Sequence, residues 1–306
     1  MGTPDFAVGT LEEIIKAGHE VVLVVSQPDK QKGRGKTLQP TPVKECALAH
    51  GIEVYQPKRV RETECVEYLA QYKPDIIVVA AFGQIIPRDI LDMPKYGCIN
   101  VHASLLPKYR GAAPIQWAVL NGDKVSGVTI MHMNEGLDTG DMILQREVEL
   151  DPEETGGSLF DRLAVVGAKL CVEAMEAIEN GTAEDIPQDH DNATHVGKIS
   201  KEMGSIDWSR PSEEIERLIR GLNPWPSAYT RIGDKTLKIW KAKMVSAEQK
   251  AEPGCIVAVN KDSIEVQTGT GILALLEVQL EGKKRMDTGA FLRGYEVVQG
   301  TFLKRG

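Results

Sequence analysis

The sequence predicts an α/β fold, a doubly wound and mostly parallel sheet, followed by a small OB-like β-barrel. Three observations predict it. Val21 to Val25 and Asp75 to Ala81 are almost wholly apolar, as strands covered on both faces are. Stretches with helical spacing alternate with them, giving a β-α-β-α order. Beyond Ile199 the pattern changes to short β runs separated by glycine turns.

In order, Phe6, Leu11, Ile14 and Ile15 recur at helical spacing and Gly18 closes that helix. Pro42 to His50 and Glu62 to Gln71 read as two more helices, with Gly51 to Val54 a short strand between them. Ser158 to Glu179 is a long amphipathic helix ended by Gly181. The polar, acidic stretch around Thr182 to Asn192 reads as a linker, so the expected division is 1–182, a linker over 183–198, and 199–306. In the last part a helix over Ser212 to Arg220 precedes strands at Ala228 to Ile232, Leu237 to Ala242, Cys255 to Asn260, Ser263 to Thr268 and Ile272 to Gln279. Five such strands suit an OB-type barrel, a fold that handles oligonucleotides.

Composition narrows the class. With 42% hydrophobic and 26% charged residues the chain is an ordinary globular protein, and its longest apolar run is far too short to cross a bilayer. The first residues lack the basic and apolar regions of a secretory signal, so a cytoplasmic protein is expected. Cys46, Cys65, Cys98, Cys171 and Cys255 show no C-x-x-C spacing and read as idle thiols in a reducing compartment, neither a disulfide frame nor a zinc site. The formal charge of -8 is uneven: 17 Lys and Arg stand against 14 Asp and Glu from residue 201 onward, and 19 against 30 before it. That asymmetry hints that the C-terminal part faces an anion.

The chemistry gathers at Ile99 to Ile115, INVHASLLPKYRGAAPI. Asn100 and His102 lie two apart on an extended segment, which puts both side chains on one face. An amide donor beside a group that titrates near neutrality can hold the oxygen of a carbonyl becoming tetrahedral. An arbitrary Asn-x-His is more often a turn cap and a satisfied core histidine. Downstream, Glu135 to Asp141 places Asp138 in a glycine turn after an apolar strand, where its carboxylate would sit beside His102 and orient or deprotonate a water. The loops Ala80–Gln84, Asn100–Pro107 and Gly136–Asp141 are all expected at the carboxyl edge of the sheet, where ligands gather in such folds.

These elements, with GTPDFAV, QPDKQKGRGKTLQPTPVK and LNPWPSAYT, together resemble the methionyl-tRNA formyltransferase family of folate-dependent formyltransferases nearly end to end. The resemblance implies a formyltransferase-type Rossmann-like domain and a catalytic set on Asn100, His102 and Asp138. It puts a folate-binding segment on Ser104, Leu105, Leu106 and Pro107. It also implies 10-formyltetrahydrofolate as donor, no metal, and initiator methionyl-tRNA as acceptor, with a role in translation initiation. The glycine-rich basic segment with Lys32, Arg34 and Lys36 would contact the acceptor end, with Arg34 its motif arginine, and Lys283, Lys284 and Arg285 would face phosphates. A monomer without membrane contact is expected. Family members begin with an apolar strand where this chain has only Met1 before Gly2, so an upstream first strand is expected in the natural chain.

Rival readings remain open at this point. A formyltransferase acting on a sugar nucleotide or glycinamide ribonucleotide would share the N-terminal set but need no basic barrel. A hydrolase releasing formate from the same donor would keep Asn100, His102 and Asp138. A non-catalytic RNA-binding protein would leave the three idle. A nicotinamide dehydrogenase needs a G-x-G-x-x-G turn after its first strand, and Gly33-Arg-Gly35 supplies none.

Overall fold

The computed structural model describes residues 1–32 and 37–306, and they form two compact units. The first comprises residues 1–114, 125–149 and 160–196, the second 115–124, 150–159 and 197–306.

In the first unit, α1 (Asp5–Lys16) leads to β1 (Val24–Val25), and β2 (Lys30–Lys32) pairs antiparallel with β3 (Thr37–Gln39). Then follow α2 (Pro42–Ala49), β4 (Val54–Tyr55), α3 (Thr63–Ala70), β5 (Ile77–Val79), α4 (Arg88–Leu91) and β6 (Cys98–His102). Thr41 caps α2, its hydroxyl accepting from the Lys44 N–H, with Pro42 at the first helical position. After β7 (Arg110–Gly111) and α5 (Pro114–Asn121), which falls almost wholly in the second unit, come β8 (Val125–His132), β9 (Met142–Glu149), α6 (Gly156–Glu179), whose first four residues also count with the second unit, and β10 (His195–Val196).

The expected α/β class holds, but the sheet is mixed. β1 pairs parallel with β4 and β5 parallel with β6, whereas β6, β8 and β9 are antiparallel neighbours. The connection from β8 to β9, residues 133–141, is shorter than the dozen or so residues that a crossover between parallel strands needs. Between β1 and β5 lies the Met1–Gly2 backbone: Gly2 N donates to Val25 O, Met1 N to Val78 O and Ala80 N to Met1 O. Beside it is a cavity of about 440 Å³ walled by Ile14, Val22, Leu23, Leu69, Ile76 and Val78.

The antiparallel pairing corrects one expectation. Ile99 faces His132 and His102 faces Thr129, so β8 ends where β6 begins. The loop carrying Asp138 therefore leaves the sheet at the edge opposite His102 and folds back across it. Gly140 permits this, because a Cβ there would lie 1.8 Å from the His132 carbonyl oxygen. The stretch expected as a linker is structured: β10 pairs parallel with β7, and Gln188 is buried.

In the second unit, α7 (Ser212–Gly221) precedes β11 (Ala228–Ile232), β12 (Lys235–Ser246), β13 (Ile256–Val259), β14 (Ile264–Gln267), β15 (Ile272–Leu280), β16 (Met286–Asp287) and α8 (Thr288–Leu292). The strands form one antiparallel sheet in the order β11-β12-β15-β14-β13, with β16 on β15. Its core holds Trp208, Ile215, Ile219, Leu237, Ile256, Val266 and Leu275. Edges β11 and β13 do not pair with each other, so no closed barrel forms among the described residues. The segment 302–304 bridges both: Arg231 and Lys304 exchange backbone hydrogen bonds, and Leu303 N donates to Gly254 O.

All five cysteines are free and buried, and burial pushes the Cys98 and Cys171 thiols up to about 12. Among the described residues no helix is long and apolar enough to cross a membrane.

α6 packs on the sheet through Gly167, where a Cβ would meet the Val101 Cγ1 at 2.9 Å, while a Cβ at Gly9 of α1 would meet Ala168 at an ordinary 3.7 Å. Gly167→Val should therefore lower the urea-unfolding free energy by roughly 1–3 kcal/mol through overpacking. Gly9→Ala should raise it by roughly 0.5–1 kcal/mol through helix propensity and a stiffer unfolded chain.

Candidate active site

Asn100 and His102 lie in an unbroken ladder, Asn100 opposite Met131 and His102 opposite Thr129, and so project from one side of β6. His102 is 6% exposed and its Nε2 lies 3.0 Å from the Tyr109 carbonyl oxygen. A carbonyl only accepts, so Nε2 carries a hydrogen and donates it. The other ring nitrogen, Nδ1, faces Asp138 Oδ2 at 3.8 Å, an ion pair whenever the ring holds both protons. Asn100 is half-buried, and no described residue hydrogen-bonds its side chain. The three residues thus form one cluster with a free amide at one end and a carboxylate at the other.

Asp138 is held from several directions. Its backbone sits at φ +53°, a left-handed conformation that costs a non-glycine residue about 1 kcal/mol or more and that other contacts must sustain. Its Oδ2 accepts from Gly111 N at 2.7 Å. Gln188 donates from Nε2 to Asp138 O at 3.0 Å and to Gly140 O at 2.7 Å, pinning the turn from beneath. The Gln188 Oε1 accepts from Arg110 Nε and Nη2 at 3.1 and 2.7 Å, and that buried guanidinium also contacts His190 Nδ1 at 3.0 Å. Arg110, whose role the sequence left open, is thus a buried support for the Asp138 turn. Gln188 escaped sequence reading altogether, since it sits in a polar stretch without periodicity.

The segment Ser104–Pro107 is locked in place. Ser104 Oγ donates to Lys108 O at 2.7 Å, and Thr129 Oγ1 donates to Ser104 O while accepting from Leu106 N. Gln145 Nε2 adds bonds to Leu106 O and Thr129 Oγ1, both at 2.9 Å. Ser104 and Leu106 are buried, leaving Leu105 and Pro107 partly accessible. Thr129 and Gln145 are further supports that spacing did not reveal.

The residues expected to meet phosphates divide. Arg34 and Lys36 lie outside the described residues, as does the side chain of Lys32. Lys283 and Lys284 are exposed in the turn between β15 and β16. Arg285 is already engaged, bidentate to Glu277 at 2.5 and 2.6 Å, with its guanidinium 4.6 Å from the Trp240 ring centroid. Glu277 offsets its charge, so two of these three residues present free cations.

Gln188→Leu keeps the volume near constant but strips the buried Arg110 of its main acceptor and frees the Asp138 turn. Unfolding in urea should show a loss of about 2–4 kcal/mol with an unchanged m value.

Residues 1–175 match the family described as formyl transferase, and residues 198–296 match its C-terminal domain. The chain is 67% identical to methionyl-tRNA formyltransferase of Agathobacter rectalis, covering 99% of this chain and 97% of that protein. It is 52% identical to methionyl-tRNA formyltransferase of Bacillus subtilis, over 99% and 96% of the two chains. Among solved structures, an N-formyltransferase from Helicobacter canadensis in complex with folinic acid and dTDP-3-aminofucose superposes with a TM-score of 0.65 at 20% identity, covering 90% of this chain and 96% of that one. HypX from Aquifex aeolicus in complex with tetrahydrofolic acid gives 0.59 at 21% identity, covering 85% and 47%. Matches to both halves of the family and full-length identity of this order place the chain in the formyl transferase family, among the methionyl-tRNA formyltransferases.

Proposed function

We propose that this chain transfers a formyl group from 10-formyltetrahydrofolate to the free α-amine of initiator methionyl-tRNA, as a cytoplasmic monomer serving translation initiation. The observation that carries the reading is the end-to-end identity with the Agathobacter rectalis enzyme. The cluster at the end of β6 supports it, since Asn100, His102 and Asp138 supply an oxyanion donor, a proton-bearing ring and a base within one site.

The folate donor supplies the formyl carbon. The residues fit such a guest: the Asn100 amide has no hydrogen-bond partner among the described residues, and Ile85 and Leu137, 84% and 61% exposed on the loops after β5 and β8, offer apolar surface. Asn100 donates to the formyl oxygen as it gains charge, and the Nε2 hydrogen of His102, held toward the Tyr109 carbonyl at rest, is shared with the same oxygen. Together they lower the barrier by ~3 to 6 kcal/mol. As the new bond from the methionyl nitrogen to the formyl carbon forms and the carbon's bond to the folate nitrogen breaks, Asp138 takes the amine's proton. It then passes that proton, directly or through water, to the leaving nitrogen. None of these steps calls on a metal.

The second unit is read as an OB-like barrel whose open seam is closed by segment 302–304 and whose Lys283 and Lys284 meet the acceptor's phosphates. The basic segment with Lys32, Arg34 and Lys36 is read as a second contact to the acceptor.

Incubation with labelled 10-formyltetrahydrofolate and charged initiator tRNA should yield formylmethionine. Formate released equally fast without tRNA would replace this reading with hydrolysis. Asn100→Ala and His102→Ala should each lower kcat about 10²–10³-fold with little change in donor affinity, measured at saturating tRNA. Lys283→Ala with Lys284→Ala should raise the tRNA KM and flatten its dependence on salt, leaving the donor KM in place.

A further inference from the structure

α1 and α2 bring three metal-ligating side chains together away from the catalytic cluster. Cys46 and His50 stand one helical turn apart at the end of α2, and Glu12 reaches them from α1. Cys46 Sγ lies 3.1 Å from Glu12 Oε1, and His50 Nε2 lies 3.2 and 3.1 Å from the two carboxylate oxygens. One ligand atom from each residue falls within 4.8 Å of the other two. Tetrahedral zinc, with Zn–S near 2.3 Å and Zn–N or Zn–O near 2.0–2.1 Å, spaces its ligand atoms about 3.3–3.6 Å apart. The Cys–Glu and His–Glu edges therefore need to open by only a few tenths of an ångström, while the Cys–His edge, at most 4.8 Å, needs to close by no more than about 1.2 Å. C-x-x-C spacing could not reveal this set, because its ligands are a C-x-x-x-H pair and a residue from another helix.

We propose that Glu12, Cys46 and His50 form a zinc-binding site that clamps α1 to α2. The thiolate, imidazole and carboxylate donors select zinc and similar borderline ions over magnesium or calcium, which take oxygen ligands. As the Zn–S bond forms, the thiol proton that now reaches Glu12 leaves to solvent, and the carboxylate turns from accepting that hydrogen to binding the ion. Cys46 is 9% exposed, whereas the side chains of Glu12 and His50 are 50% and 36% exposed, so an ion enters from solvent and keeps a water as its fourth ligand. Such a site is exchangeable and ties two helices of the first unit without touching Asn100, His102 or Asp138.

Equilibrium dialysis of the full chain against zinc should load one equivalent, retained in millimolar magnesium. Cobalt in place of zinc should give a thiolate-to-metal charge-transfer band together with the intense visible absorption of a tetrahedral centre. Cys46→Ser should abolish the band and weaken zinc at least tenfold. His50→Gln and Glu12→Gln should each weaken zinc at least tenfold, and their exposed positions keep the fold intact, as far-ultraviolet circular dichroism will check. Zinc should raise the Tm of the unaltered chain and leave that of Cys46→Ser where it was. The proposal is overturned if Cys46→Ser binds zinc as tightly as the parent, if cobalt gives no thiolate band, or if magnesium displaces the metal.

Discussion

The site rests on the return of one loop. β8 runs against β6, so the chain emerging from His132 starts about 10 Å from His102, three strand residues away, and must double back over the sheet to deliver Asp138. Two devices hold that path. Gly140 lets the backbone pass the His132 carbonyl at a separation no side chain tolerates, and the buried Gln188 amide ties the carbonyls of Asp138 and Gly140 from below. Because the left-handed Asp138 would relax if either were lost, the position of the carboxylate depends on Gly140 and Gln188 as much as on Asp138 itself.

Much of this was legible in the sequence, and the limits have physical causes. The strand at Ala228–Ile232 has the bounds its alternation suggests, and the helix at Pro42 announces itself by its Thr41 cap and leading proline. Spacing alone places Asn100 and His102 on one face, since a period of two is a local property of extended chain. Strand direction is not local. The apolar run before Asp138 fits a parallel or an antiparallel neighbour equally well, and only the short connection to β9 argues for the latter. Gln188 is invisible for a related reason: it bonds Arg110 across 78 residues of chain, and nothing in its surroundings marks it as buried.

The ring of His102 shows what residue type cannot convey. Reading the sequence assigns it a proton to offer an oxyanion, whereas in this structure both nitrogens already have company, Tyr109 O on one side and Asp138 on the other. A ring so bracketed cannot flip without breaking both contacts, so its tautomer and orientation are set before any guest arrives. Pre-orientation of this kind trades freedom in the resting state for alignment during reaction. The amide of Asn100, with no hydrogen-bond partner among the described residues, is the complementary case: a donor left open beside one that is fixed.

The strip from Phe302 to Lys304 has a further consequence. Sheet edges with free N–H and C=O groups invite neighbouring molecules to add strands. By laying its own backbone along Arg231 on one margin and Gly254–Cys255 on the other, the chain occupies both templates itself. A clipped molecule lacking this strip would display two raw margins and be prone to stack edge to edge, so protection from self-association here is a duty of the last few residues and not of the strands they cover.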